Sequence, residues 1–160
     1  MYTVDALCDI HERAHRSLTR LLAHCRTLSD EECHREMPGF SYPSIQLQLH
    51  HGLMAERYWT GVLQGRIDVR DDAPEHASVT ALEDLRVQVF DLTEAYLREA
   101  SEAELNMART MMTWGNREKL LVPAQVFIRT QTHFYIHQGE ITAMCRVLGK
   151  KAAGLDFPID

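Results

Sequence analysis

Two histidines four residues apart, His133 and His137, carry the strongest chemical signal in this sequence. On an α-helix this spacing places both side chains on one face about one turn apart, so that both rings can bind one metal ion. Neutral imidazole is a common zinc ligand, and it also suits nickel, copper and iron. Two core histidines that hydrogen-bond to carbonyl groups are the alternative. A catalytic zinc-type site takes three protein ligands and keeps one position open, so a third ligand must come from another helix.

The best third ligand is one member of the adjacent pair His50 and His51. The pair lies in a predicted helix over residues 43–64, where neighbouring side chains point about 100° apart and cannot both reach one ion. His51 shares its face with Leu47, Met54 and Tyr58. His50 falls on a polar face, which predicts a solvated position. These patterns indicate a site for one divalent metal ion formed by His51, His133 and His137.

A second pair with the same spacing, His11 and His15, also faces inward on the first predicted helix. Glu12 and His15 resemble half of a di-iron carboxylate motif, which requires a second such motif and two further glutamates on core faces. The only other glutamate with a histidine three residues later, Glu31 with His34, lies in a polar connector, so we reject a di-iron site. No third ligand is apparent near the pair. We therefore predict that these two histidines line the interior of the fold and form no second metal site.

Four predicted helices have to position these residues. Apolar side chains recur at steps of three and four over residues 3–28, 43–64, 80–100 and 123–148. Thr80-Ala81-Leu82-Glu83 predicts a capping box at the start of the third helix, and Pro123 and Gly149 bound the fourth. Residues 106–121, around Trp114-Gly115-Asn116, predict a short hairpin or an irregular lid. The pattern indicates an all-α protein, a four-helix bundle with a mononuclear metal site, in a single domain over residues 1–160.

Composition restricts the classes of partner and compartment. The net charge of -6 argues against a general binder of nucleic acid or anionic membranes, which carries a basic patch. No apolar run approaches the ~20 residues that a membrane span needs, and the start lacks the regions of a signal peptide. Four scattered cysteines without a CxxC pair, Cys8, Cys25, Cys33 and Cys145, are typical of reduced thiols. We therefore expect a cytoplasmic protein with no nucleic-acid or membrane partner.

Two blocks of the sequence resemble the DinB/YfiT-like metalloenzyme family. The first runs from Leu49 to Trp59 and contains the pattern of histidine, Glu-Arg and tryptophan; the second is His133-x-x-x-His137-x-Gly139-x-Ile141, which ends in Leu148-Gly149. The connector 28–32 is also similar. The resemblance implies that His51, His133 and His137 are the metal ligands, and that the protein is a homodimer. Where the family commonly has glutamine after the glycine, this chain has Glu140, which is a candidate partner of a ligand, general base or fourth ligand.

The function implied by the resemblance is conditional on the bound metal. Members of the family include transferases that use low-molecular-weight thiols of the bacillithiol or mycothiol type, and a maleylpyruvate isomerase domain. We expect zinc or nickel first and iron or copper next as the divalent metal, which lowers the pKa of a bound thiol or water. The expected activity is that of an S-transferase or hydrolase on a small-molecule substrate, with catalytic side chains unassigned. The alternative is a non-catalytic, metal-binding or stress-related dimeric bundle.

Overall fold

The computed structural model describes residues 1–67, 72–153 and 156–159. Residues 68–71, between the second and third predicted helices, lie outside the described residues, as do 154–155 and 160 of the predicted domain. In chain order the elements are α1 (Val4–Cys25), α2 (Asp30–His34), α3 (Ile45–Leu63), α4 (Val79–Glu99), α5 (Glu102–Asn106), β1 (Arg109–Thr113), β2 (Arg117–Leu121) and α6 (Pro123–Val147). Short 3-10 turns precede α4 at Ala73–His76 and join the strands at Trp114–Asn116.

Four long helices pack around an apolar interior and make the fold predominantly helical, which confirms the all-α class. α3 packs against α4 and α6, and α1 packs against the same two helices, so that α1 and α3 are opposed across the interior. Leucines fill most of the fully buried positions, namely Leu7, Leu18, Leu21, Leu22, Leu49, Leu53, Leu82, Leu85, Leu97 and Leu105. Burying each such side chain stabilises the folded state by about 1.5–3 kcal/mol, so these inward-facing leucines are the main stabilising feature. Within the described residues, no helix has both the length and the apolar character needed to cross a bilayer.

The strands β1 and β2 form an antiparallel hairpin, in which Arg109 pairs with Leu121 and Thr113 pairs with Arg117. The turn between them has left-handed backbone at Gly115, with a φ of 67°, and at the following asparagine, a conformation that these two residue types tolerate best. The prediction of a short hairpin within residues 106–121 is confirmed, and the irregular lid is not what forms.

The start of α4 differs from the prediction. The Ser78 hydroxyl accepts a hydrogen bond from the backbone N–H of Ala81 at 3.1 Å, so the helix begins at Val79. The capping box predicted at Thr80–Glu83 is wrong, because its threonine already lies in the first turn and its glutamate pairs with Arg26 of α1. Capping boxes occur instead at the two short helices, Ser29 with Glu32 and Ser101 with Glu104.

One glycine allows α3 and α6 to approach closely. A Cβ atom added at Gly52 would lie 2.9 and 3.0 Å from two ring atoms of Phe134, which is closer than a side-chain carbon is normally found. Phe134 is itself buried on α6. Because Gly52 directly follows His51 and Phe134 directly follows His133, this contact sets the distance between the two helix segments that carry the predicted ligands.

Candidate metal centre

The structure brings the rings of His51, His133 and His137, called here the histidine trio, together between α3 and α6. Nε2 of His133 lies 3.4 Å from Nε2 of His51 and 3.2 Å from Nε2 of His137. The planes of the three rings are steeply inclined to one another, at 69° to 89°. Each ring therefore presents the same nitrogen atom to a common point, and the three donor atoms lie within 4.8 Å of one another.

The separations between these nitrogen atoms match those of a metal site. Ligands at zinc–nitrogen distances of about 2.0–2.1 Å in tetrahedral directions lie about 3.3 Å apart. Three nitrogen lone pairs that converge at this distance repel one another unless a proton or cation lies between them. The donor set is all imidazole, which suits zinc, nickel, copper and iron. The residues present therefore fit a divalent metal ion.

The surroundings keep the three rings neutral, which is the form that binds metals. Burial and the neighbouring rings of His137 and His133 lower the pKa of His51 to about 4. Burial and the charge of Arg129 lower the pKa of His133, and burial with the charge of His133 lowers the pKa of His137. Each ring is therefore deprotonated at one nitrogen atom near neutral pH.

A buried glutamine orients one ring of the histidine trio. Nδ1 of His137 lies 2.6 Å from Oε1 of Gln48, which is fully buried on α3. The amide nitrogen of Gln48 donates hydrogen bonds to the Tyr42 carbonyl at 2.9 Å and to the Glu140 carboxylate. This pattern assigns the amide oxygen to His137, whose Nδ1–H donates the bond and whose Nε2 is left free for a metal ion.

Glu140 acts on the histidine trio through its hydrogen bond with Gln48 and not by facing the point on which the three Nε2 atoms converge. Its carboxylate also accepts a hydrogen bond from the Ser41 hydroxyl at 2.7 Å. The Tyr42 ring stacks on the His51 ring, with centroids 4.0 Å apart and planes inclined at 23°. The segment before α3 thus holds Glu140 and covers His51. The sequence left three roles for Glu140: partner of a ligand, general base or fourth ligand. The geometry matches the first, because Glu140 bonds Gln48 and Gln48 bonds His137.

Comparison with the sequence profiles of known families finds a match. The sequence profile of the DinB superfamily matches residues 13–141, which include α3 and all three histidines of the trio. The chain belongs to the DinB superfamily. This confirms the resemblance inferred from the two sequence blocks. No curated protein shows significant sequence similarity to the chain.

In this DinB chain the prediction of a solvated His50 is wrong, although His50 stays apart from the histidine trio. His50 is buried, and its Nε2 lies 2.8 Å from Oδ1 of Asp72. The amide of Gln46 donates hydrogen bonds to the carbonyl groups of Ala73 and His76, which hold the turn before α4 over this face of α3. His51 is the half-buried member of the pair, so its face opens toward solvent instead of toward the interior.

The second histidine pair also has a partner that the sequence analysis missed. His11 and His15 of α1 meet Glu56 of α3 across the interior, and we call these three residues the α1–α3 cluster. Nε2 of His11 lies 2.8 Å from the Glu56 carboxylate, and Nε2 of His15 lies 3.1 Å from it. The premise that no third ligand is near this pair is therefore wrong. The sequence feature that could have revealed this contact is Glu56 itself, which lies on a face of α3 that is otherwise apolar or aromatic. A glutamate on such a face indicates a buried polar partner.

The two histidines of the α1–α3 cluster differ in the direction of their pKa shifts. Burial lowers the pKa of His11, but the hydrogen bonds and charges of Glu56 and Glu94 outweigh it and raise this pKa above its usual range. Burial lowers the pKa of His15, whose interactions with Glu56 do not compensate. Burial raises the pKa of Glu56, yet the two histidines hold it well below the usual range. The contacts of the cluster thus favour a negative charge on Glu56 and a positive charge on His11.

Proposed function

We propose that this protein is a four-helix bundle of the DinB type with a mononuclear metal site, in which His51, His133 and His137 bind one divalent ion. The observation that carries the proposal is the convergence of three Nε2 atoms, with separations of 3.2 and 3.4 Å along the trio. Zinc or nickel are the first candidates, followed by iron or copper, because all four accept imidazole ligands.

The site supports catalysis better than a purely structural role. His51 and His133 are half-buried, whereas His137 is buried, so the trio has one side that solvent and a small substrate can reach. A divalent ion held by three neutral imidazoles supplies a Lewis acid that makes a thiol or water nucleophilic near neutral pH. Gln48 keeps the His137 ring in one tautomer, and Tyr42 covers one face of His51.

The thiol, if one is used, comes from a cosubstrate. All four cysteines are free and buried. Burial raises the pKa of each thiol, for Cys33 to about 11, so thiolate is scarce near neutral pH. We therefore propose an S-transferase that takes a low-molecular-weight thiol and a small electrophile, or a hydrolase that uses water at the same position. Reduced thiols are also the basis on which we place the protein in the cytoplasm.

A direct test combines metal loading with a panel of nucleophiles. Protein stripped with a chelator and reloaded with one equivalent of zinc or nickel would be assayed with an activated aryl halide and several small thiols, and with activated esters in water. We expect turnover that depends on both the metal and the nucleophile and that is lost in His51→Ala. Stoichiometric metal binding without turnover on any substrate would favour the second candidate, a non-catalytic metal-binding or stress-related dimer.

We also propose that the protein forms a homodimer through α6. The family resemblance favours a dimer, but the wide apolar band of α3 is covered within the chain by α4 and α6. Ile136 and Val147, however, are 61% and 69% exposed, and their spacing of eleven residues places them on one face of α6. Light scattering should give the mass of two chains at micromolar concentration, and Ile136→Asp should give the mass of one. A wild-type monomer would contradict the proposal.

A further inference from the structure

The α1–α3 cluster, His11, His15 and Glu56, has the composition and geometry of a second ion site. We propose that it binds one divalent ion of the zinc type, separate from the histidine trio. Two imidazoles and one carboxylate are a donor set used by zinc in proteins. The two histidines are one turn apart on α1, and the carboxylate reaches them from the opposed helix, as in metal sites built inside helix bundles.

The spacing of the donor atoms supports the proposal. Oxygen atoms of Glu56 lie 2.8 Å from Nε2 of His11 and between 3.1 and 3.2 Å from Nε2 of His15. All three donor atoms are within 4.8 Å of one another. Since donors around a tetrahedral zinc ion lie about 3.3 Å apart, an outward shift of a few tenths of an ångström admits the ion. On binding, the ion replaces the hydrogen bonds between the two histidines and the Glu56 carboxylate.

A second glutamate holds the His11 ring in the orientation that a ligand needs. Nδ1 of His11 lies 3.2 Å from Oε2 of Glu94 on α4, and Glu94 is itself paired with Arg98. Metal-binding histidines usually donate the second ring N–H to a carboxylate, which leaves the other nitrogen atom free for the ion. Glu94 is therefore a positioning residue for His11, and Glu56 is the ligand.

The α1–α3 cluster is closed, which makes its role structural. His11 is fully buried, and His15 and Glu56 are each 4% exposed. The Phe90 ring stacks on His11 with centroids 4.6 Å apart, and Phe127 lies at its edge. An ion here joins α1 to α3 across the interior and has no open position for a substrate. Nδ1 of His15 is buried without a hydrogen-bond partner among the described residues. The free energy lost through this missing hydrogen bond is smaller than the free energy gained from three metal–ligand bonds.

The test uses a chain in which two of the three histidines of the trio are replaced, so that the trio cannot form. The double variant His133→Ala/His137→Ala would be stripped with a chelator, checked for helical content by circular dichroism, and titrated with zinc against a chromophoric chelator. We expect one zinc ion per chain, and a melting temperature that rises with zinc. Because this background lacks the trio, failure of the proposed first site has no effect on the result.

Two further substitutions in that background distinguish an ion site from a hydrogen-bonded network. Glu56→Gln should abolish zinc binding, and Glu94→Gln should weaken it about 10–100-fold, because only the orientation of His11 is lost. Glu99→Gln, at an exposed position of the same helix, is the matched control and should leave affinity unchanged. If Glu56→Gln does not fold, the comparison of the Glu94 and Glu99 variants decides. A folded double variant that binds no zinc, or equal zinc binding by both of those variants, would overturn the proposal.

Discussion

At the scale of single residues, His137 has the most determined environment of the trio. Its Nδ1–H is bound by a buried glutamine and its Nε2 faces the nitrogen of His133 at 3.2 Å. Such a ring cannot rotate without breaking a hydrogen bond inside the protein, which costs about 1–3 kcal/mol. The ring is therefore held in place before any ion binds, and less ordering entropy has to be lost on binding.

Replacement of His137 by alanine should remove the ion at the trio and should leave an ion at the α1–α3 cluster in place. Two imidazoles remain, and they hold a divalent ion too weakly to survive purification. Elemental analysis should find about one ion per chain fewer than in the unaltered protein. His50→Ala is the control, because His50 bonds Asp72 instead of facing the trio, and it should leave metal content nearly unchanged. Loss of metal from the His50 variant instead would mean that the ligands are misassigned.

Gln48→Leu should weaken metal binding without removing a ligand. Leucine has a similar size, but it leaves the His137 ring without the acceptor that fixes its tautomer, and it leaves Glu140 with the Ser41 hydroxyl as donor but without the Gln48 amide. We expect a loss of about 10–100-fold in zinc affinity, measured by competition with a chromophoric chelator. Gln46→Leu is matched in type, helix and burial, yet its amide bonds the turn before α4, so it should lower stability and spare affinity.

At the scale of helices, the approach of α3 to α6 determines whether the trio can form. The Cβ that alanine adds at position 52 would lie 2.9 Å from the ring of Phe134, and that ring must move by a few tenths of an ångström. Phe134 is adjacent to His133, so the shift is transmitted to a predicted ligand. The helix spacing and the ion site are therefore linked through one pair of residues.

Gly52→Ala should lower zinc affinity about tenfold, since each 1.4 kcal/mol of strain in the site corresponds to that factor. Its stability reflects two opposing effects, a gain of about 1 kcal/mol in helix propensity and an overpacking cost of about 1–3 kcal/mol. Denaturant unfolding should show a net loss. Gly139→Ala is the control, because its Cβ meets nothing within 4 Å, and it should gain up to about 1 kcal/mol. A Gly52 variant with unchanged affinity would show that α6 adjusts freely.

At the scale of the whole molecule, the metal-free protein carries four histidines whose folded-state pKa is lowered, His15, His51, His133 and His137. Such a group stays neutral in the folded chain while the unfolded chain takes up a proton below about pH 6.5, so it destabilises the fold as pH falls. His11 has a raised pKa and acts in the opposite direction. Since the pKa of His51 falls to about 4 and three further groups act in the same direction, we expect a net loss of stability in mild acid.

We therefore expect the unfolding free energy of the metal-free protein to fall by about 1 kcal/mol or more between pH 7 and pH 5. This figure allows for the half-exposed position of His51, whose pKa of about 4 would otherwise give about twice as much. Denaturant titrations at several pH values would measure the slope. His51→Gln should reduce it, and a stability that rises toward pH 5 would contradict the assignment of neutral rings.

Local geometry explains what could be predicted from the sequence, and tertiary contacts explain the rest. That only one of His50 and His51 can face the trio followed from the angle between adjacent helical residues, which holds in any packing. The burial of His50 depends on Asp72 and the turn after it, which fold back over α3 from outside the helix. The contact of Glu56 with α1 likewise depends on which helices are opposed across the interior. The spacing of apolar residues along each helix does not contain that information.

The four buried thiols are natural probes of local opening of the fold. Cys8 belongs to the apolar cluster that includes Met111 of the hairpin, whereas Cys25, Cys33 and Cys145 belong to the cluster under α2. An alkylating reagent reaches each thiol only when its surroundings separate, so labelling rates followed by mass spectrometry measure the opening of each end of the helical fold. With metal bound, labelling of both groups should slow by the same factor if the chain opens as one unit. Unequal factors would show which end the ion holds, without any engineered probe.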